Sequence, residues 1–236
     1  VLSGEDPRED LPRSRAKLYK KYVEELLSSW EMYRRSRSGG SEDQGFRLED
    51  LAAEYSREAA LHGLYYIGWY LHLGYFGGRI DEQVSTREHL AEKLCKGMWL
   101  KKDWKLTEKK ARVVANAIID FWSEAGMLEI WSWKGREYLA FRHLTFQEYS
   151  AAWALSVAWR RDPNFTWKFV HPRLHHYAWR EPILILGGML EQDSLRDLLR
   201  RLLEGKSRYE HALHRDLLLA GAISNEAENI DQDLKD

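Results

Sequence analysis

One cysteine, five prolines and no long apolar run are what this 236-residue sequence is shortest of, and each shortage excludes something. Cys95 alone cannot close an internal disulfide, and no signal peptide opens the sequence, so a reducing, cytoplasmic compartment is expected. The scarcity of proline, beside 44% hydrophobic residues and 11 tryptophans, excludes collagen-like, low-complexity and disordered classes. It leaves apolar mass enough for one large domain or two or three small ones. Charge of one sign is missing too. The 36 basic and 37 acidic side chains leave a net of -1, so no global field draws the chain to nucleic acid or an anionic membrane, and any such binding needs a local patch. The richest apolar stretch, residues 64–76, is interrupted by Gly68, His72 and Gly74 and falls short of the roughly 20 residues of a spanning helix, which predicts a buried helix instead. The sequence opens on Val1, and VLSGEDPRED has neither an apolar run nor a capped helix, so a piece of something longer is expected.

Over residues 15–33 the apolar Leu18, Tyr22, Val23, Leu26, Leu27, Trp30 and Tyr33 recur at helical spacing, with Lys17, Lys20, Lys21, Glu24 and Glu25 between them. The Gly, Ser and charge content of residues 34–45 marks a connector and a subdomain boundary near residue 40. A second helix is expected over residues 48–73. Ser85 and Glu88 read as a capping box opening a helix to about residue 99, and Thr107 as the cap of the next. That helix carries Val114, Ala115, Ile118, Trp122 and Ala125 on one side and stops at Gly126. The period then changes: Leu128, Ile130, Leu139 and Phe141 flank a Lys134-Gly135 turn, which predicts a short hairpin. Helix, helix, helix, hairpin is the order of a winged helix. Thr145 and Glu148 read as a second capping box, opening a helix to Arg161. Only helices follow, over residues 164–170, 172–179, 182–190, 194–203 and 209–223, an arrangement suited to the start of an α-solenoid, before a frayed acidic end. The predicted class is mainly α, with one winged-helix subdomain and an all-helical subdomain after it. The predicted domains are residues 1–40, 41–143 and 144–236.

Self-contained chemistry is hard to find. Gly205-Lys206-Ser207 matches the last positions of a P-loop, but Arg200 stands where the first glycine is needed and a helix precedes it. Ala117-Ile118-Ile119-Asp120 resembles an apolar strand ending in a magnesium-binding aspartate but keeps helical period. His171 with His175, and His211 with His214, share helix faces without a third ligand, so no metal is expected. Glu24 and Glu25 diverge on a helix and cannot flank one bond, no G-x-S-x-G is present, and Cys95 reads as a packing residue. The strongest physical signal is basic. Lys96, Lys101, Lys102, Lys105, Lys109, Lys110 and Arg112 fall together against only Asp103 and Glu108, around the start of what would be a recognition helix. Lys134 and Arg136 at the hairpin tip would add a wing contact. Clustered cations at a helix N-terminus suit phosphate, so a nucleic-acid-binding winged helix is one reading and a helical docking scaffold another.

Phe141-Arg142-His143-Leu144-Thr145-Phe146-Gln147-Glu148-Tyr149-Ser150-Ala151-Ala152 resembles the F-x-H-x-T/S-F-Q-E-Y/F-x-A-A signature at the end of the winged-helix subdomain of NACHT proteins. These are signal-transducing ATPases that include NOD-like receptors and prokaryotic defence proteins. Leu11-Pro12-Arg13-Ser14-Arg15 with Leu18-Tyr19 resembles the helix before that subdomain, residues 121–128 its helix end and entry to the hairpin, and Trp179-Arg180-Glu181-Pro182 a later helix start. The resemblance covers nearly the whole chain in the family's order.

It implies that His143 contacts the β-phosphate of bound ADP and holds a closed, inactive form. A neutral imidazole can donate one hydrogen bond to a phosphate oxygen, and a nearby phosphate favours the imidazolium. Thr145 and Glu148 would fix the backbone that presents it. The family's P-loop, magnesium-binding strand, sensor arginine and adenine-packing proline have no counterpart in these residues. The resemblance therefore implies that ADP or ATP with Mg is held by a nucleotide-binding core upstream, that this chain is not an enzyme by itself, and that the activated parent forms a homo-oligomer that drives an immune or antiviral effector.

Overall fold

The computed structural model describes residues 14–37, 53–74, 84–97 and 106–227. Among these the chain is mainly helical, with ten α-helices and one small antiparallel sheet, and it divides into two compact units. One comprises residues 24–154; the other comprises residues 1–23 and 155–236. Residues 41–143, expected as one subdomain, fall within the first of these, and the divisions lie inside helices α1 (Arg15–Arg37) and α5 (Leu144–Arg161). Residues 34–37 of the connector expected over 34–45 belong instead to α1, and the rest of it, with Lys101, Lys102, Lys105, Leu11-Pro12-Arg13 and the acidic end beyond residue 227, lies outside the described residues.

In α1 the buried stripe is Ala16, Val23 and Leu27, while Leu18 and Tyr22, expected on the apolar face, are exposed. At about 100° per residue the first three align and the other two fall on the opposite side, so the true face is narrower than the apolar content suggested.

The unit of residues 24–154 is built on α2 (Ala53–Gly74), β1 (Ser85–Thr86), α3 (Arg87–Lys96), α4 (Glu108–Glu124), β2 (Leu128–Trp133) and β3 (Arg136–Phe141). The strands run in the order β1-β3-β2. Leu64, Ile67 and Leu71 of α2 join the core with Leu90 and Leu94 of α3, Val114, Ile118 and Trp122 of α4, and Leu128 and Leu139 of the sheet, all buried. Gly63 lets α2 approach α4 closely, because a Cβ there would overlap the Ile118 side chain. Trp122 adds a directed contact, its indole Nε1 donating to the Ala60 carbonyl at 2.7 Å.

Local signals explain most element ends. Thr107 caps α4 by accepting from the Lys110 amide at 3.4 Å, as expected. The cap of α3 differs from expectation. Thr86, not Ser85, accepts from the His89 amide, because Ser85 and Thr86 pair with Leu139 and Tyr138 of β3. That pairing moves the helix start one residue on and makes a strand where a capping box was read. The hairpin is in the expected register, Trp133 opposite Arg136, around Lys134 and Gly135 at φ 49 and 73. Two successive left-handed residues make a type I′ turn, whose twist matches the strands. Nothing lies within 4 Å of a Cβ added at Gly135, so Gly135→Ala is expected to cost only the conformational term, about 1 kcal/mol. Urea unfolding followed by circular dichroism measures it. A loss indistinguishable from that of an exposed strand substitution would contradict the turn assignment.

The other unit contains the start of α1, the end of α5, α6 (Pro163–Val170), a 3-10 turn at His171–Arg173, α7 (Tyr177–Met189), α8 (Gln192–Glu204), α9 (Glu210–Leu213) and α10 (Arg215–Glu226). Asp162 caps α6, accepting from the Phe165 amide at 3.0 Å, with Pro163 at the first helical position. Pro182, read from sequence as a helix start, lies inside α7. The helix begins five residues earlier, where the His176 ring accepts from the Ala178 amide. Burial of Trp179, Ile183 and Leu186 outweighs the one ladder bond that proline removes. The single helix expected over residues 209–223 is broken at His214, whose φ of 47 ends α9 and starts α10. Arg15 ties this unit's ends together, meeting Glu181 of α7 at 2.6 Å and Glu226 of α10 at 2.7 Å. Hydrogen bonding to Glu226 and Glu181 outweighs desolvation and pushes the guanidinium pKa up. Two quoted segments of the family resemblance, around Arg15 and Glu181, thus meet in space.

Candidate functional site

The twelve-residue segment from Phe141 varies in burial, with Thr145, Phe146 and Glu148 half-buried. Phe141, Gln147, Tyr149, Ser150, Ala151 and Ala152 are buried, whereas Arg142, His143 and Leu144 are exposed. Ser150 donates to the Phe146 carbonyl at 2.7 Å, and the Tyr149 ring meets the Tyr65 ring edge-on at 5.8 Å. Burial, the largest cause, pushes the Tyr149 phenol well above its ordinary range and Tyr65 up to about 12, so both are neutral spacers. Tyr149 and Ser150 are therefore structural, whereas the buried Gln147 Nε2 has no hydrogen-bond partner. The segment's exposed half is a backbone corner: the Arg142 amide donates to the Met127 carbonyl at 3.0 Å, and the Phe146 amide to the His143 carbonyl at 3.2 Å.

α5 begins at Leu144, which puts His143 at the cap position and Thr145 second in the helix. A capping box needs its hydroxyl residue one place before the helix, so Thr145 and Glu148 are not the reciprocal pair expected of them. His143 stands at the N-terminus of α5, the end of a helix whose dipole favours an anion.

Of the basic cluster, Lys96 ends α3, while Lys109, Lys110 and Arg112 sit exposed on α4. Lys134 stands at the hairpin turn with its ammonium 4.3 Å over the Trp133 ring, and Arg136 opens β3. The structure brings Arg112 and Arg136 to one open cavity of about 440 Å³, lined also by Thr86, Arg87, Asn116 and Glu137. Lys109 and Lys110 do not line it. Arg87 was not singled out in the sequence. It pairs with Asp120 at 2.7 Å and Glu137 at 3.7 Å, so the aspartate of the false magnesium strand is an ion-pair partner inside α4.

The second phosphate-site fragment is likewise consumed. Gly205-Lys206-Ser207 follows α8, and the Ser207 amide donates to Asp216 Oδ2 at 2.7 Å. His175 Nε2 stands 2.6 Å from Asp216 Oδ1 and 3.2 Å from Ser207 Oγ. Serine, histidine and aspartate so placed invite comparison with a catalytic triad, but hydroxyl and carboxylate meet the same ring nitrogen. A relay needs them on opposite nitrogens. The cluster is a structural clasp. Burial raises the Asp216 pKa, but hydrogen bonds from Ser207 and from His175 outweigh it and hold the carboxyl below its usual value. Cys95 is buried with its thiol 3.7 Å from the Glu108 carbonyl.

Among the described residues no three His, Cys, Asp or Glu side chains come together as a metal site, and no helix is long and apolar enough to cross a membrane. No protein-family model, no curated protein and no solved structure matches the chain.

Proposed function

We propose that the chain is the regulatory part of a nucleotide-dependent switch of the NACHT type, with His143 as the group that meets the phosphate of bound ADP. The exposed imidazole of His143, at the N-terminus of the 18-residue α5 and amid a signature whose other half is buried, carries this reading. Packing and hydrogen bonding account for Tyr149 and Ser150 without a ligand. They do not account for an exposed histidine at a strand-to-helix corner. The order α2, β1, α3, α4, β2, β3 with a sheet ordered β1-β3-β2 supports a winged helix as the frame.

In such a switch the chain lies against a core that supplies the P-loop, the magnesium site and the adenine pocket. It supplies one hydrogen bond from His143 and the positive end of α5 to a phosphate oxygen. Exchange of ADP for ATP shifts the equilibrium to an open form whose cores associate. When the chain is joined to such a core, His143→Ala is expected to speed ADP release by roughly ten- to a hundredfold, the value of one hydrogen bond to a charged group. Displacement of a fluorescent ADP analogue measures it. Release unchanged by the substitution would remove His143 from the switch.

A further inference from the structure

The outer face of the hairpin is aromatic and partly exposed. Trp131 and Trp133 are 38% and 55% exposed, and both share a face with Tyr138. The Trp131 and Tyr138 rings are nearly parallel at 6.3 Å, and Trp133 meets Tyr138 edge-on at 5.9 Å. Exposing two indoles side by side works against the hydrophobic effect, and neither packs into the core on the sheet's other face. Cations frame them. Lys134 lies over Trp133, and Arg136 is its cross-strand partner.

Arg136 also lines the cavity that holds Arg87 and Arg112, so the aromatic face and the cavity are continuous through one residue. Glu88 and Glu137 line the cavity too, but guanidiniums outnumber carboxylates there, and Glu137 is engaged by Arg87. Neither Arg112 nor Arg136 makes an ion pair with a carboxylate among the described residues, although Arg112 lies near enough to Glu92 to help lower its pKa. Lys134 is held at a φ of 49, a conformation that costs a side-chain-bearing residue free energy and that asparagine or glycine adopts more easily.

We propose that this surface binds single-stranded nucleic acid, with bases stacking on Trp131, Trp133 and Tyr138 and phosphates taken by Lys134, Arg136 and Arg112. Open rings need bases whose faces are free, and a duplex hides them, so the aromatic part selects single strands. The cations select the phosphate chain over an uncharged partner by complementarity. His143 is not part of this surface, so the two proposals stand or fall separately.

The test is fluorescence anisotropy of the whole chain with labelled oligo(dT), oligo(U) and a duplex, each of about 15 nucleotides, at about 50 and about 200 mM salt. Single strands are expected to bind, and to bind more weakly at the higher salt. Trp133→Ala is expected to lose about tenfold in affinity and Trp133→Phe to retain most of it, since a ring remains for stacking. Arg112→Glu with Arg136→Glu is expected to weaken binding and flatten the salt dependence. These side chains are exposed, so circular dichroism and melting should be those of the unaltered chain. The tighter of oligo(dT) and oligo(U) names the natural strand. No binding at the lower salt overturns the proposal, as does affinity indifferent to Trp133→Ala. So does a preference for duplex that Lys109→Glu with Lys110→Glu abolishes, which would place binding on α4.

Discussion

Trp122→Ala is expected to destabilise the chain by about 4 kcal/mol and to lower its melting temperature by roughly 10 °C. The side chain is fully buried, its ring meets Phe121 edge-on at 5.0 Å, and its Nε1 donates to the Ala60 carbonyl of α2 across a gap of 62 residues. Truncation would open a cavity between α2 and α4 and leave the carbonyl without its indole donor. Trp122→Phe separates the two effects. It keeps most of the volume and gives up the hydrogen bond, for a loss of about 1 kcal/mol. Urea titrations followed by circular dichroism give both numbers. A Trp122→Ala midpoint within error of Trp133→Ala, an exposed indole, would show that α2 and α4 are not held as described.

Asp216→Ala has the second largest expected effect, about 3 kcal/mol, because the carboxylate is 1% exposed and serves two neighbours and a helix end at once. It accepts the Ser207 amide, faces His175, and sits in the first turn of α10, where the dipole favours negative charge. Glu210 works beside it, accepting the Asp216 and Leu217 amides at 2.7 and 3.2 Å. Removal leaves the part-buried Ser207 amide without its acceptor, and His175 without the carboxylate it faces. The sign with pH follows from linkage. The folded carboxyl titrates below its usual value of 3.8, so its contribution is complete above 3.8 and disappears as the pH falls through the lower, folded value. The difference in unfolding free energy between the native chain and Asp216→Ala should therefore shrink as the pH falls below 3.8 and through the folded value. A difference that grows as the pH falls below 3.8 would contradict the hydrogen bonds assigned to the carboxylate.

Legibility in the sequence followed the range of the interaction. Thr107 and the Lys134-Gly135 turn were readable because a cap and a type I′ turn are satisfied within four residues. The helical period of residues 108–124 was readable because one face is apolar throughout. Ser85 misled because its fate is decided by Leu139, which lies 54 positions away in β3. Pro182 misled because a proline normally marks a boundary, and only the burial of its neighbours overrides that. His214 looked helical because nothing local announces a left-handed residue. At the site, His143 stood out through its flanking motif, and Arg112 and Arg136 through charge. Their meeting at one cavity did not, since it depends on how β3 lies beside α3 and α4. Arg87 carried no signal at all. Trp131 and Trp133 carry no motif of their own, and only the exposed side of the sheet distinguishes them.

Buried Cys95 has a practical consequence. Because it is the chain's one thiol and is 2% exposed, the surface carries no sulfur nucleophile. A cysteine introduced at Ser132 or at the exposed Lys109 would then be the sole site open to a maleimide. One dye or spin label could be placed beside the indoles or on α4 without first removing a native residue from the core.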